Sequence, residues 1–369
     1  MTNANKVLFV SGRELNYPRN DLIIRALNLF TTVKPIGPHK HLVSRSNYFQ
    51  IIYQSIIGVI KTVIQTIQHN YSIILIGFFG QFLVPPIARL TKKPIVFDFF
   101  ISTWDTLVND REKIRKNSLL SKAARVLDQR SCQSADLILV DTQASLSFYH
   151  SRLGVSKEKM KVLFVGCNED IFYPRNKSEE KGLVLYYSSY MPLHGVDIVV
   201  NAAKLLEDQS DLHFRIIGEG QEYQNIQHLV RKLEVSSIDF IPTMPLADLP
   251  DQIAKASICL GGHFGASDKA RRVIAGKTFQ LLAMEKPTIV GDNDANRELL
   301  THGQNAWFCK MNDPEALAEA ILLLHKHDKL RKAIAQKGYI CFKERASLEV
   351  QSEHLENFIA EYINLGTSN

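Results

Sequence analysis

Short apolar runs alternate with longer segments of helical periodicity over most of the chain. Each run is continuously apolar, as expected for parallel strands that helices cover on both faces. Strands that alternate with helices in this way form right-handed crossovers and doubly wound α/β sheets. The predicted strands span residues 6–10, 71–76, 94–99, 137–141, 162–165, 183–187, 213–217, 238–241, 258–260 and 288–290.

About ten parallel strands are too many for one ordinary sheet, so we expect two. The polar, proline-bearing segment 173–181 marks the break between them. The predicted domains are therefore 1–174 and 175–345, each Rossmann-like, and they face each other across a cleft where such folds bind ligands. An amphipathic helix within 346–369 can pack back on the first domain.

The segment 49–67 has apolar residues at helical spacing, among them Ile56 and Ile60. The opposite face carries Ser55, Lys61 and Thr62. One interpretation is a helix that covers the sheet, so that a charge at Ile56 or Ile60 would unfold the domain. The other is a peripheral surface that touches membrane or a lipid-linked acceptor.

The composition excludes several classes of protein. Of the 369 residues, 45% are hydrophobic and 22% charged, and the formal net charge is +6, which is typical of a globular chain rather than a disordered one. The five cysteines are scattered without a C-x-x-C pair, which favours free thiols and a cytoplasmic location. Basic residues form no stripe with interleaved aromatics, so we expect no nucleic-acid partner.

Three motifs in the sequence lack a feature of the site that each resembles. The triplet 276–278 ends like a phosphate loop, but Arg271 stands where the loop needs a glycine. Gly218 and Gly220 lack the third glycine of a dinucleotide fingerprint. Asp292 and Asp294 suggest a metal pair, but their place after a strand is typical of a turn and helix cap. We therefore expect no metal and no other cofactor.

The segment 260–290 predicts a diphosphate site. A strand ends at its start, the glycine-rich loop 261–265 allows close approach to the backbone, and a helix begins near Lys277. A helix N-terminus and flanking cations favour a bound anion; the alternative is a solvated basic loop. We expect the Lys277 ammonium to be exposed there, and its loss to leave stability almost unchanged. The cations are Lys269, Arg271, Arg272 and Lys277.

This segment resembles the donor-binding segment of retaining glycosyltransferases of the GT-B fold, family 4 group. The matching residues are Lys269, Arg272, Val273, Ile274, Lys277, Phe279, Gln280, Leu282, Ala283 and Pro287. Further matches cover nearly the whole chain, among them segments 17–20, 94–98, 192–197 and 217–220.

The sequence also departs from that family. Gln280 stands where most members have a glutamate, and Val273 stands at the position of the usual first glutamate. His194 and the segment 188–190 replace a lysine and an arginine that usually follow the first strand of the second domain.

The resemblance implies transfer of a sugar, with retention of anomeric configuration, from a nucleotide sugar on the second domain. Arg272 and Lys277 would stabilise the departing diphosphate, and Gln280 would contact the ribose. Further implied donor contacts are His194, Gly218, Gly220, Gly262, Gly265, Lys269, Arg271 and Glu298. Acceptor-side candidates at strand ends of the first domain are Asp98, Ser102, Asp105 and Asp141.

A role in synthesis of cell-surface polysaccharide or glycolipid would make the acceptor a sugar or a lipid-linked sugar. The alternatives are a non-catalytic nucleotide-sugar-binding protein, or another enzyme on the same fold, such as an epimerase or a phosphorylase. An epimerase would use no acceptor, and a binding protein would release no nucleoside diphosphate.

Overall fold

The computed structural model describes residues 6–38, 48–111 and 113–365 and separates the chain into two units. The first comprises Met1–Val165 and Leu348–Asn369, and the second Gly166–Ser347. The first unit has six parallel strands in the order β2-β1-β3-β4-β5-β6. These are β1 (Lys6–Val10), β2 (Thr32–Ile36), β3 (Ile73–Ile76), β4 (Ile95–Asp98), β5 (Leu137–Val140) and β6 (Met160–Val162).

Helices cover both faces of this first sheet. On one face, α2 to α5 pack on a core that includes Ile74, Ile87 and Tyr149. On the other, α1 packs on a core that includes Phe9 and Ile23. The helices are α1 (Pro18–Asn28), α2 (Tyr48–Gln68), α3 (Val84–Leu90), α4 (Leu119–Ser134) and α5 (Gln143–Leu153).

The second unit repeats this arrangement with the strand order β12-β11-β10-β7-β8-β9, again all parallel. Its strands are β7 (Glu180–Tyr187), β8 (His213–Ile217), β9 (Ile238–Ile241), β10 (Ala256–Leu260), β11 (Thr288–Gly291) and β12 (Trp307–Cys309). Its helices are α6 (Val196–Leu205), α7 (Tyr223–Leu233), α8 (Leu249–Lys255), α9 (Gly276–Ala283), α10 (Asp294–Leu299), α11 (Pro314–Lys326) and α12 (Asp328–Arg345).

The chain then returns to the first unit in α13 (Leu348–Leu365), which buries Leu355 and Ile359 in the same core as α1. The division between the units falls at Val165, before the predicted boundary at 174. The physical reason lies in the segment that follows, because the Cys167 Sγ contacts the backbone oxygen of Phe279 in the second unit.

Helix α2 turns the side opposite to the expected one towards the protein interior. Ile56 is 54% exposed and Ile60 is 53% exposed, whereas Ser55 and Thr62 are buried. Small residues on the buried side allow α2 to lie close to the start of α3, because a Cβ on Gly58 would lie 3.1 Å from the Cδ2 atom of Leu83. The expectation that these isoleucines belong to the core is therefore wrong.

The predicted two-sheet architecture is confirmed, but β2 and β12 are absent from the predicted strands. Both lie at sheet edges. Strand β2 contains Pro35 and no fully buried residue, so it lacks the continuous apolar run of a central strand. All five cysteines are free and buried. Among the described residues, no helix is long and apolar enough to cross a bilayer.

Candidate functional site

The order of the second sheet changes direction between β7 and β10. Strand β7 comes first in the chain, β8 lies on one side of it, and β10 lies on the other. In open parallel sheets, ligands bind beyond the carboxyl ends of the strands at such a switch point. Tyr187 ends β7 and Leu260 ends β10, so the segments that follow these residues form the candidate site.

The predicted glycines bring the loops at this edge of the sheet close together. Gly262 has a φ of 73°, and a Cβ there would lie 3.3 Å from the hydroxyl of Tyr186. A Cβ would meet a backbone oxygen of the loop after β7 at the other three, Gly218, Gly220 and Gly265. Packing of these loops therefore accounts for the glycines, and their predicted contact with a donor stays a prediction.

Lys277 lies in the first turn of α9 and is only 9% exposed, so the expected exposure is wrong. Its Nζ atom lies 4.0 Å from the centroid of the Tyr186 ring and 5.7 Å from that of Tyr187. It has no hydrogen-bond partner among the described residues. Burial lowers the pKa of Lys277 to about 7. A buried ammonium without a hydrogen-bonded anion is costly, so this position favours a negatively charged ligand.

Two stacked imidazoles lie close to Lys277. The His194 and His263 ring centroids are 5.2 Å apart with an interplanar angle of 2°. Burial, and next the charge of Lys277, lower the pKa of His194. The same two causes, followed by the charge of Lys269, lower the pKa of His263 to about 3. Both rings are therefore neutral near pH 7, and they add no positive charge beside the lysine.

Hydrogen bonds fix the outer imidazole of this pair. The Nδ1 atom of His194 lies 2.7 Å from the Oγ atom of Ser188. The Tyr186 hydroxyl donates to the His194 backbone oxygen at 2.7 Å. The Nδ1 atom of His263 is buried and has no hydrogen-bond partner among the described residues.

Gln280 lies on α9, near Lys277. The Tyr187 hydroxyl donates to its Oε1 atom at 2.7 Å. Because a carboxamide carries one carbonyl and one NH₂ group, this bond orients the side chain and leaves the two N–H donors for a ligand. The predicted ribose contact of Gln280 would therefore be made mainly by donation.

The other predicted donor residues lie on the loop before α9 and on α10. Arg271 is exposed, and Arg272 is half-buried, with its Nε donating to the backbone oxygen of Asp268 at 3.1 Å. Lys269 is also half-buried, and its charge contributes to the low pKa of His263. Glu298 is half-buried on α10.

The acidic segment after β11 forms a turn and a helix cap. Asp292 accepts two hydrogen bonds from Arg297, both of 2.7 Å. Asn293 caps α10 by accepting from the backbone N–H of Asn296 at 2.6 Å, and Asp294 begins that helix. In the part of the chain that the structure describes, no group of three or more His, Cys, Asp or Glu is placed to hold a metal ion.

The acceptor-side candidates lie in the interior of the first unit. Asp98 forms a buried ion pair with Arg19, whose Nη2 lies 2.9 Å from Oδ1. Ser102 donates to buried Asp128 at 2.7 Å. All four predicted residues are buried. Hydrogen bonds within the unit account for the burial of Asp98, Ser102 and Asp105. The predicted acceptor contact of all four residues stays a prediction.

Comparison with known proteins agrees with the geometry of the second unit. Residues 168–340 match the sequence model of the family described as glycosyl transferases group 1. The second unit is therefore similar to a glycosyltransferase group 1 domain over this segment. The chain is also 25% identical over 182 residues to an uncharacterized glycosyltransferase of Methanocaldococcus jannaschii. That alignment covers 49% of this chain and 48% of the relative, so the match spans about half the length of that curated relative.

Solved structures share the fold of both units. HepE of Anabaena, in complex with UDP, has a TM-score of 0.71 at 14% identity, covering 96% of this chain and 100% of that one. Sucrose-phosphate synthase of Thermosynechococcus elongatus has a TM-score of 0.78 at 13% identity, covering 98% and 100%. The predicted GT-B fold, with two Rossmann-like α/β domains, is therefore confirmed.

Three aromatic residues of the site were missing from the sequence-based prediction: Tyr186, Tyr187 and His263. The first two end a strand and read as core residues. His263 lies inside the glycine-rich loop 261–265, and that position was the one available signal.

Proposed function

We propose that this protein transfers a sugar from a nucleotide-sugar donor that binds to the second unit. The observation that carries the proposal is the buried Lys277 ammonium, which lacks a hydrogen-bond partner among the described residues. The similarity to a group 1 domain supports it. Anabaena HepE was solved with UDP, with UDP and glucose, and with UDP-glucose, which suggests a uridine nucleotide as the first donor to test.

The diphosphate would bind at Lys277 and the first turn of α9. When the bond between the sugar and the diphosphate breaks, negative charge grows on the leaving oxygen. A preorganised cation stabilises that charge, and a bound anion in turn favours the protonated form of Lys277. Arg272 is the second cation proposed for this role, and the reaction needs no metal ion.

Further parts of the proposal follow from the resemblance to family 4. Transfer retains the anomeric configuration, and Gln280 and Glu298 contact the nucleoside. The acceptor is a sugar or lipid-linked sugar of cell-surface polysaccharide or glycolipid synthesis. The protein works in the cytoplasm and touches the inner face of the membrane through 49–67. The exposed isoleucines of α2 support this contact.

A melting-temperature screen against a panel of nucleotide sugars tests the donor, because ligand binding to the native state raises stability. Release of nucleoside diphosphate on addition of candidate acceptors then tests transfer. Binding without release would identify a non-catalytic binding protein. Isomerisation of the donor without release of nucleoside diphosphate would identify an epimerase. Turnover that occurs only with orthophosphate would identify a phosphorylase.

A further inference from the structure

Three neighbouring helices of the first unit, α2, α3 and α4, expose apolar side chains to solvent. All three belong to the side of the sheet whose core includes Val84, Ile87 and Cys132. We define their outer side as the α2–α4 surface. Its exposed apolar residues include Ile56, Ile60, Phe82, Leu90, Leu119 and Leu120.

The apolar character of this surface is continuous from α2 to α3. Ile56 and Ile60 line an open groove of about 260 Å³ together with Phe82 and Pro86. At the start of α4, Leu119 is 83% exposed and Leu120 is 68% exposed. Exposed apolar patches of this kind mark interaction sites on soluble proteins.

The charge around this surface is strongly asymmetric. Residues 48–97, which include α2 and α3, contain Lys61, Arg89, Lys92 and Lys93 but no Asp or Glu. Segment 111–118, which leads into α4, carries four cations against Glu112 alone. The only acid of α4, Asp128, is fully buried and accepts hydrogen bonds from Ser102 and the Trp104 backbone N–H.

We infer that the α2–α4 surface binds an anionic lipid bilayer, with its isoleucines and leucines in the interface and its cations at the lipid headgroups. The inference rests on the membrane contact in the proposed function. It extends the contact surface to α3 and α4 and specifies that the lipid is anionic. The inverted orientation of α2 supplies the apolar part, since a helix that buries serine and threonine and exposes isoleucine is suited to an apolar partner. The cations of segment 48–97, which has no Asp or Glu, favour anionic over neutral lipids, because cations near an anionic surface strengthen binding.

Flotation of the full chain with vesicles tests this inference. Vesicles of phosphatidylcholine alone are compared with vesicles that also contain phosphatidylglycerol. We expect binding to the anionic vesicles to be at least about tenfold stronger and to weaken with added salt. Equal binding to both kinds of vesicle would overturn the inference while leaving the membrane contact intact.

Two triple variants with the same change in charge distinguish binding through this surface from binding that depends only on the net charge of the protein. Lys92→Glu, Arg115→Glu and Lys116→Glu alter exposed cations of the surface, whereas Lys326→Glu, Lys329→Glu and Lys337→Glu alter exposed cations of the second unit. Only the first triple variant should lose binding, by about tenfold or more. Equal loss in both would overturn the inference.

A third variant, Ile56→Ser with Ile60→Ser, tests the apolar part and should reduce anionic-vesicle binding at unchanged melting temperature. If no vesicle bound and sedimentation showed a dimer that this variant dissociates, the surface would belong to a second copy of the chain. Absence of both vesicle binding and dimer would overturn the inference together with the membrane contact. Nucleotide-sugar binding and diphosphate release would still test the transferase function independently.

Discussion

The Nζ atom of Lys277 lies 4.0 Å from the centroid of the Tyr186 ring, so its charge is held against an aromatic face rather than an acidic side chain. The lysine follows a glycine-rich loop, and the tyrosine lies in β7, the first strand of the second sheet. Their contact turns an ordinary helix N-terminus into a buried cationic position. A diphosphate would complete it.

Removing this cation should slow the proposed transfer. Loss of one preorganised donor costs on the order of 3 kcal/mol, so Lys277→Ala should reduce the rate of diphosphate release about a hundredfold. Arg272→Ala should act similarly, and the double variant should lose less than the sum if both residues serve one phosphate. Lys337→Ala, an exposed lysine of α12, is the control. Full activity in Lys277→Ala would refute the diphosphate assignment.

Lys277 should also make stability depend on pH. Its pKa is about 7 in the folded protein and 10.5 as the ordinary value. Between these values the unfolded chain holds the proton that the folded protein has lost, so wild-type stability rises with pH. Lys277→Met removes this dependence.

Urea unfolding at several pH values measures the effect of Lys277→Met. The variant should be more stable than the wild type at pH 6, because burying an ammonium is costly. Its advantage should shrink by up to about 1.4 kcal/mol per pH unit above pH 7. A difference that stays constant from pH 6 to pH 10 would mean that Lys277 keeps an ordinary pKa.

The sequence was sufficient for the fold because buried parallel strands are continuous apolar runs. It also pointed to the segment that contains Lys277, since glycines, cations and a helix start occur together at 261–277; binding of a donor there stays a prediction. It could not show that Lys277 is buried, because the rings that cover it come from β7, far away in the sequence. Edge strand β2 was missed because Pro35 and exposed positions weaken its apolar pattern.

The side of α2 that faces the sheet is a second feature that the sequence pattern did not predict. Helical periodicity defines an apolar stripe but does not say which side of the helix faces the sheet. The small residues Ser55 and Gly58 could have shown it, because close approach to a neighbouring helix needs them. Similarly, Asp98 stands at a strand end, where ligands bind, but its partner Arg19 comes from α1, and only the structure shows this pairing.

Turnover should not require a metal ion. Asp292 is paired with Arg297, and both it and Asp294 are exposed. We expect diphosphate release to be unchanged by excess chelator and by Asp292→Asn with Asp294→Asn. Activity that disappears with chelator and returns with Mn²⁺ or Mg²⁺ would contradict this expectation and make those carboxylates candidate ligands.

The buried ion pair of the first unit should act on stability. Arg19 also donates to the backbone oxygens of Leu163 and Phe164, both at 2.8 Å. Removing one partner of a buried pair leaves an uncompensated charge, so Arg19→Met should lower the free energy of unfolding by about 3–5 kcal/mol. Asp98→Leu should rescue much of this loss in the double variant. Thermal unfolding measures both.

An exposed pair provides the matched control for that measurement. Arg297→Met breaks the surface pair with Asp292 and should leave the melting temperature nearly unchanged, since exposed pairs are screened by water. If Arg19→Met were equally harmless but weakened acceptor use, the result would support the predicted role of Asp98 on the acceptor side.

The hydrogen bond from Tyr187 to Gln280 should position a side chain that we propose contacts the nucleoside. Tyr187→Phe removes the hydroxyl that holds the Gln280 Oε1 atom and frees the carboxamide to rotate. One neutral hydrogen bond contributes about 1 kcal/mol, so the KM for the donor should rise about fivefold while kcat changes little. Tyr71→Phe is the matched control, because the Tyr71 hydroxyl donates to the Gln65 Oε1 atom at 2.9 Å in the first unit. It should leave KM unchanged. A fall in kcat at constant KM for Tyr187→Phe would instead mean that the tyrosine acts on the reacting sugar or on Lys277 rather than on Gln280.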